Sequence, residues 1–170
     1  MIKIFSGHSG PVTCVALSWD NRYLVSGNRD GTILFHSTKT TIVEFLADNV
    51  LALGIDGLCY FPDSSGFVAC GHGGYGDNIV NLKVFSPSLE LVQTLEGHTG
   101  GVYSVTVSPS GSHFASGGYD RKVIIWSESG EGGEWARVQV LEDHTRGICA
   151  VCFSPDGKQL ATGSFDNLIN

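Results

Sequence analysis

The 170-residue sequence is predicted to be all-β, a tandem array of four small antiparallel sheets. That reading rests on an internal repeat, on short β-branched runs, and on where glycine falls. Gly7-His8-Ser9-Gly10-Pro11-Val12 superimposes on Gly97-His98-Thr99-Gly100-Gly101-Val102 and on Asp143-His144-Thr145-Arg146-Gly147-Ile148. A hydroxyl residue follows each histidine 18 places on (Ser26, Ser116, Thr162) and an aspartate 22 places on (Asp30, Asp120, Asp166). His98 and His144 are 46 residues apart and His8 and His98 are 90 apart, so one degenerate copy lies between. A fixed period of this size marks stacked supersecondary units.

Within the third copy the runs are short, apolar and bounded by turns: Val102–Val107, Ser112–Ser116, Lys122–Trp126 and Ala136–Leu141. Four strands per unit follow. The connections Ser108-Pro109-Ser110-Gly111 and Ser154-Pro155-Asp156-Gly157 put Pro and Gly where tight turns require them. The 23 glycines therefore punctuate strands, and only 16% of residues are charged, too few for long solvated helices. The degenerate copy is anchored by Tyr60-Phe61-Pro62-Asp63-Ser64-Ser65-Gly66; in this frame Leu51 takes the histidine place and the aspartate is displaced to Asp77.

In order, residues 1–6 are expected to supply one outer strand (Ile2–Phe5), residues 7–46 the first unit, 47–96 the second, 97–142 the third and 143–170 an incomplete fourth. The strands then number sixteen.

A unit that opens on Gly-His, passes through Ser-Pro-x-Gly and closes with Asp120 six residues before Trp126 resembles the WD-repeat (WD40) β-propeller family. The resemblance implies four-stranded blades, and a hydrogen-bonded tetrad of His, Ser or Thr, Asp and Trp in each. By position the tetrads are His8, Ser26 and Asp30, with His36 in the Trp place; His98, Ser116, Asp120 and Trp126; and His144, Thr162 and Asp166. It also implies a peptide- or protein-binding face around the central channel, lined by Thr13, Arg29, Asp56, Tyr103, Tyr119 and Phe165. Such rings usually close with seven or eight blades. Four imply a partial or short propeller, either part of a longer ring or one of two copies sharing a ring with the first strand exchanged.

The leading expectation is thus a non-catalytic scaffold for protein–protein interaction. A regulatory or substrate-receptor part of a larger enzyme or complex, such as a ligase adaptor, is the alternative, and an RNA-binding propeller ranks below it. The repeated His, Ser and Asp imitate a hydrolase triad, but an enzyme has no use for three copies around a ring. No catalytic residue, cofactor or metal ligand is assigned. Gly71-His72-Gly73-Gly74-Tyr75-Gly76 satisfies a dinucleotide-binding pattern, yet the strand-like Ile79–Phe85 follows it where a helix is needed. Cys149 and Cys152, three apart on a strand, should diverge. The net charge of −7 offers no footprint for nucleic acid, and no apolar run is long enough for a membrane helix. Five cysteines scattered through apolar segments suit a reducing compartment, cytoplasm or nucleus.

Overall fold

The computed structural model describes residues 2–72, 81–129 and 133–170. Among them there is no helix, and fourteen strands form four antiparallel sheets. The first sheet is β1 (Val12–Leu17), β2 (Tyr23–Asn28), β3 (Ile33–Ser37) and β4 (Val43–Ala47). The second is β5 (Ile55–Tyr60), β6 (Phe67–Gly71), β7 (Leu82–Phe85) and β8 (Leu91–Thr94). The third is β9 (Val102–Val107), β10 (His113–Gly118), β11 (Val123–Ser129) and β12 (Glu134–Leu141); the fourth has only β13 (Ile148–Phe153) and β14 (Leu160–Ser164). Each sheet is an up-and-down meander in sequence order. These are WD-type blades forming part of a propeller, and their innermost strands β1, β5, β9 and β13 lie side by side in that order.

Two expected strands are absent. Ile2–Phe5 is not strand, and Ile2 and Ile4 are almost wholly exposed. Beyond Ser164 the chain makes one isolated bridge, Gly163 to Ile169, in place of a third strand. The reasons differ: residues 168–170 do run along the free edge of β14, with Thr162 and Asn170 exchanging backbone bonds, but that pairing is too short for a strand, whereas Ile2–Phe5 pairs with no strand edge among the described residues. The N-terminal segment is held instead by the Lys3 ammonium on the Thr38 carbonyl and by the Phe5 ring against His36.

Blades pack face to face, and each interface is a separate core. Val25, Ile33 and Phe35 of the first blade meet Leu51, Ile55, Leu58, Tyr60, Phe67, Ala69 and Phe85 of the second. Alternate residues of β6, Val68 and Cys70, turn the other way and join Phe114, Ile124, Trp126 and Trp135 of the third. Period-two alternation thus buries all five residues of β6 between two neighbours. The third and fourth blades share a smaller cluster of Ala115, Val123, Ile148 and Val151. On β1, Cys14 and Ala16 pack into the first core while Val15 and Leu17 stay exposed.

Side chains also cross between blades. The Gln93 amide donates to the Trp135 carbonyl (2.9 Å) and accepts from the Trp135 N–H (2.8 Å), and the Trp135 ring stacks on Phe61. Turns between the first two strands of every blade share one geometry, a bond from the third turn residue back to Ser18, Phe61, Ser108 or Ser154. The donor has a positive φ in all four, and only Gly111 and Gly157 are the glycines that the Ser-Pro-x-Gly pattern supplies; Asn21 and Ser64 hold the same place in the other two.

Candidate functional site

Buried polar groups need partners, and in the third blade they form a directed chain. The Trp126 indole N–H donates to Ser116 Oγ (2.9 Å), and Ser116 Oγ lies 2.8 Å from His98 Nε2. His98 Nδ1 lies 3.0 Å from both carboxylate oxygens of Asp120. A carboxylate only accepts, so Nδ1 carries the ring proton and Nε2 accepts from the serine. Asp120 also receives the Thr99 and Lys122 N–H groups, tying the loop before the blade to the turn between β10 and β11. In the fourth blade His144 Nδ1 is 2.8 Å from Asp166 and Nε2 is 2.9 Å from Thr162 Oγ1. Burial pushes the Asp166 carboxyl up, but N–H donation from Thr145, His144 and Leu168 outweighs it and brings the group down to about 2. These side chains are closed to substrate: His98 is 2% and Asp120 5% exposed.

The first blade departs from the expected set. His8 Nε2 reaches Ser26 Oγ (2.7 Å), but no bond joins His8 to Asp30, and Nδ1 of both His8 and His36 is buried without a partner. Asn28 explains the loss. Its counterparts are Gly118 in the third blade and Ser164 in the fourth, whose hydroxyl donates to the Arg146 and Gly147 carbonyls and leaves Asp166 to His144. The Asn28 amide instead donates to Asp30 (3.2 Å), leaving that carboxylate with Asn28 and Ser9. In the second blade Leu51 lies in the apolar core, and Asp77 falls outside the described residues, as do Gly73, Gly74, Tyr75 and Gly76.

A bulge repeats in every blade. Pairing of the first two strands skips Thr13 (Val12 to Asn28, Cys14 to Gly27), Asp56 (Ile55 to Gly71, Gly57 to Cys70), Tyr103 (Val102 to Gly118, Ser104 to Gly117) and Cys149 (Ile148 to Ser164, Ala150 to Gly163). A bulge leaves one residue outside the ladder and re-aims its side chain. A second recurring bond sets the neighbouring position: Arg29, His72, Tyr119 and Phe165 donate their backbone N–H to Pro11, Gly54, Gly101 and Gly147.

Three blades place these residues in one cluster. Tyr103 is its hub, with ring centroids 5.3 Å from His72, 6.5 Å from Tyr119 and 6.0 Å from Phe165, all edge to face. His72 Nδ1 pairs with Asp56 at 2.8 Å. Gly101 makes room for it, because a Cβ there would meet the His72 ring at 2.4 Å. Burial, then Asp56 and Tyr119, push the Tyr103 phenol up, keeping it a neutral donor and acceptor. Tyr119 (66% exposed) and Phe165 (49%) face solvent.

Of the residues expected on the face, Asp56, Tyr103, Tyr119 and Phe165 come together. Arg29 is exposed in the first blade and forms no ion pair among the described residues. Thr13 is committed elsewhere, its hydroxyl donating to the Ile55 carbonyl and to that of Gly27 (3.1 Å). His72 was not among the expected residues. Its signal is a local match, since Phe67-Val68-Ala69-Cys70-Gly71-His72 runs in step with Phe114-Ala115-Ser116-Gly117-Gly118-Tyr119 once counting starts from the phenylalanine.

The family model "WD domain, G-beta repeat" matches residues 1–37, 89–127 and 135–170, leaving most of the degenerate second unit unmatched. The Chlamydomonas reinhardtii ribosome biogenesis protein WDR12 homolog is 34% identical over 121 residues, covering 66% of this chain and 26% of that protein. Mouse cilia- and flagella-associated protein 52 is 26% identical over 121 residues, 70% of this chain and 18% of its own length. Rice protein HIRA is 31% identical over 127 residues, 75% of this chain and 10% of its own. The chain thus spans about a quarter or less of these relatives' length.

Proposed function

The chain belongs to the WD40 family, and from that premise we propose that it is a non-catalytic scaffold that binds a peptide or protein on the face where Asp56, His72, Tyr103, Tyr119 and Phe165 gather. The observation that carries the proposal is the aromatic cluster on Tyr103. Four bulged or turn positions from three blades converge, and two of the rings face solvent. Rigid, partly exposed tyrosines are the residue type on which binding energy concentrates. Ribosome biogenesis proteins among the relatives support a place in a multiprotein assembly of the cytoplasm or nucleus, and five free thiols suit such a compartment.

The test replaces Tyr103 and Tyr119 together by alanine in the full chain and compares cross-linked partners with those of the wild type. Loss of about tenfold or more in recovered partner is expected, the effect of removing a hot-spot pair. Undiminished capture by a folded double variant would sink the reading.

A further inference from the structure

We propose, building on that interaction face, that the notch between the third and fourth blades receives an anionic side chain of the partner, held by Arg121 and Arg146. The notch measures about 320 Å³ and is lined by Tyr119, Arg121, Thr145, Arg146, Gly147 and Phe165. Both guanidiniums are exposed, and neither forms an ion pair among the described residues. Among the described residues the Arg146 guanidinium makes a single hydrogen bond, Nη1 to the Phe165 carbonyl at 3.1 Å, which steers it along the notch and leaves most of its donors uncommitted. The nearby Glu142 is engaged by Lys122 at 2.8 Å. In a chain of net charge −7, two arginines outside any close salt bridge on one notch are a local exception.

The repeat supplies an independent argument. Arg121 has a φ of 69°, in the left-handed region, at the place where the first and fourth blades carry Gly31 and Asn167. Glycine enters that region freely and asparagine tolerates it, whereas a long side chain with a Cβ does so at a cost in free energy. Arg146 stands two residues after its histidine, where the first and third blades carry Gly10 and Gly100. The two departures from the small residues of the sister repeats meet at one notch, and among the described residues no hydrogen bond or ion pair holds the guanidinium of Arg121, which feels Glu142 only at longer range. Strain held without structural return points to a ligand. Planar guanidiniums recognise carboxylate and phosphate by paired N–H donation, and the walls of Tyr119 and Phe165 shield such bonds from water. The occupant is therefore an acidic or phosphorylated peptide side chain.

The test uses the full chain and immobilised degenerate peptides whose fixed central residue is phosphoserine, glutamate, serine or lysine. Retention of the phosphoserine or glutamate peptides over the other two, weakening as salt is raised, is expected. Preference for phosphoserine alone identifies a phosphorylated partner; equal retention of glutamate identifies a carboxylate. The paired substitution Arg121→Gly and Arg146→Gly installs residues that the sister repeats already fold with. It should cut retention about tenfold or more, the factor of one charge-assisted hydrogen bond, with the melting temperature not lowered. Equal retention of serine or lysine peptides, or undiminished retention by this variant, overturns the proposal. If the arginine variant keeps full partner capture while the Tyr103/Tyr119 variant loses it, the anion site falls and the interaction face stands. If neither loses capture, both fall.

Discussion

The third and first blades share a histidine, a serine and an aspartate at identical offsets, but they differ in two further residues. Where the third blade has Trp126 the first has His36, and where the third has Gly118 the first has Asn28. Trp126 supplies the donor that starts the chain through Ser116 and His98 to Asp120. His36 approaches Ser26 only at 3.4 Å, and Asn28 draws Asp30 away, so two ring nitrogens are left buried without partners. The spacing of the marker residues sets where they stand. Whether they bond follows the residue two places before the aspartate: Gly118 and Ser164 leave the carboxylate to the histidine, whereas the Asn28 amide takes it.

Substitution at the Trp position should separate the two blades most. Trp126→Ala removes a fully buried ring from the second-to-third-blade core and should cost about 3–5 kcal/mol, whereas His36→Ala should cost well under half as much, because it also removes an orphaned buried nitrogen. Chemical denaturation of both variants checks this; equal losses would mean that His36 matches the tryptophan in its blade. The aspartates should divide next. Asp120→Ala strands the His98 N–H and should cost about 2–3 kcal/mol, while Asp30→Ala should cost less, about 1 kcal/mol, because Asp30 is exposed and its loss leaves only the amide of the buried Asn28 short of a partner. Comparable losses would show that Asp30 completes a tetrad in solution.

The smallest effect is on pH dependence. Burial lowers the affinity of His8 and of His36 for a proton, in the latter case helped by His8. Both groups bind protons more weakly folded than unfolded, so their contribution is fully present above about pH 6.5 and is eroded as pH falls below it toward their lower folded values. Asp166, held at about 2, gives up its contribution only as pH falls through the window from 3.8 down to that value. Melting temperature followed from pH 8 to pH 5 should therefore fall less steeply in His36→Phe than in the wild type; parallel curves would remove the first blade from the explanation.

Much of this architecture was legible in the sequence. The Gly-His openings, the Ser-Pro-x-Gly turns and the alternating runs located the blades, and Val102–Val107 is a strand from end to end. Offsets also led to Tyr103, Tyr119 and Phe165, because each stands a fixed distance from a marker and the bulge is the same in every blade. Ile2–Phe5 misled because an alternating apolar run reports a capacity to pair and carries no information about an available edge. Thr13 is exposed at the same bulge as Asp56 and Tyr103, but the bond of its hydroxyl to the Ile55 carbonyl, 42 residues away in the next blade, is a contact that no local pattern announces. His72 escaped because the aspartate of the second unit is sought at Asp77, although His72 stands 21 residues after Leu51, the offset that Arg29, Tyr119 and Phe165 keep from their histidines.

The Gln93 clasp carries its own consequence. A side-chain amide has the donor and acceptor of a peptide group, so at Trp135 it acts as one residue of a strand that the chain does not otherwise provide. It gives the rim of β8 a hydrogen-bonded neighbour that belongs to another blade, and with Phe61 stacked on the Trp135 ring it fastens the second and third blades at their outer edge as well as through their core. The two blades then open to solvent together, as a single cooperative block within a row of otherwise nearest-neighbour contacts, and a strand edge that would invite pairing with a foreign chain is guarded by one glutamine.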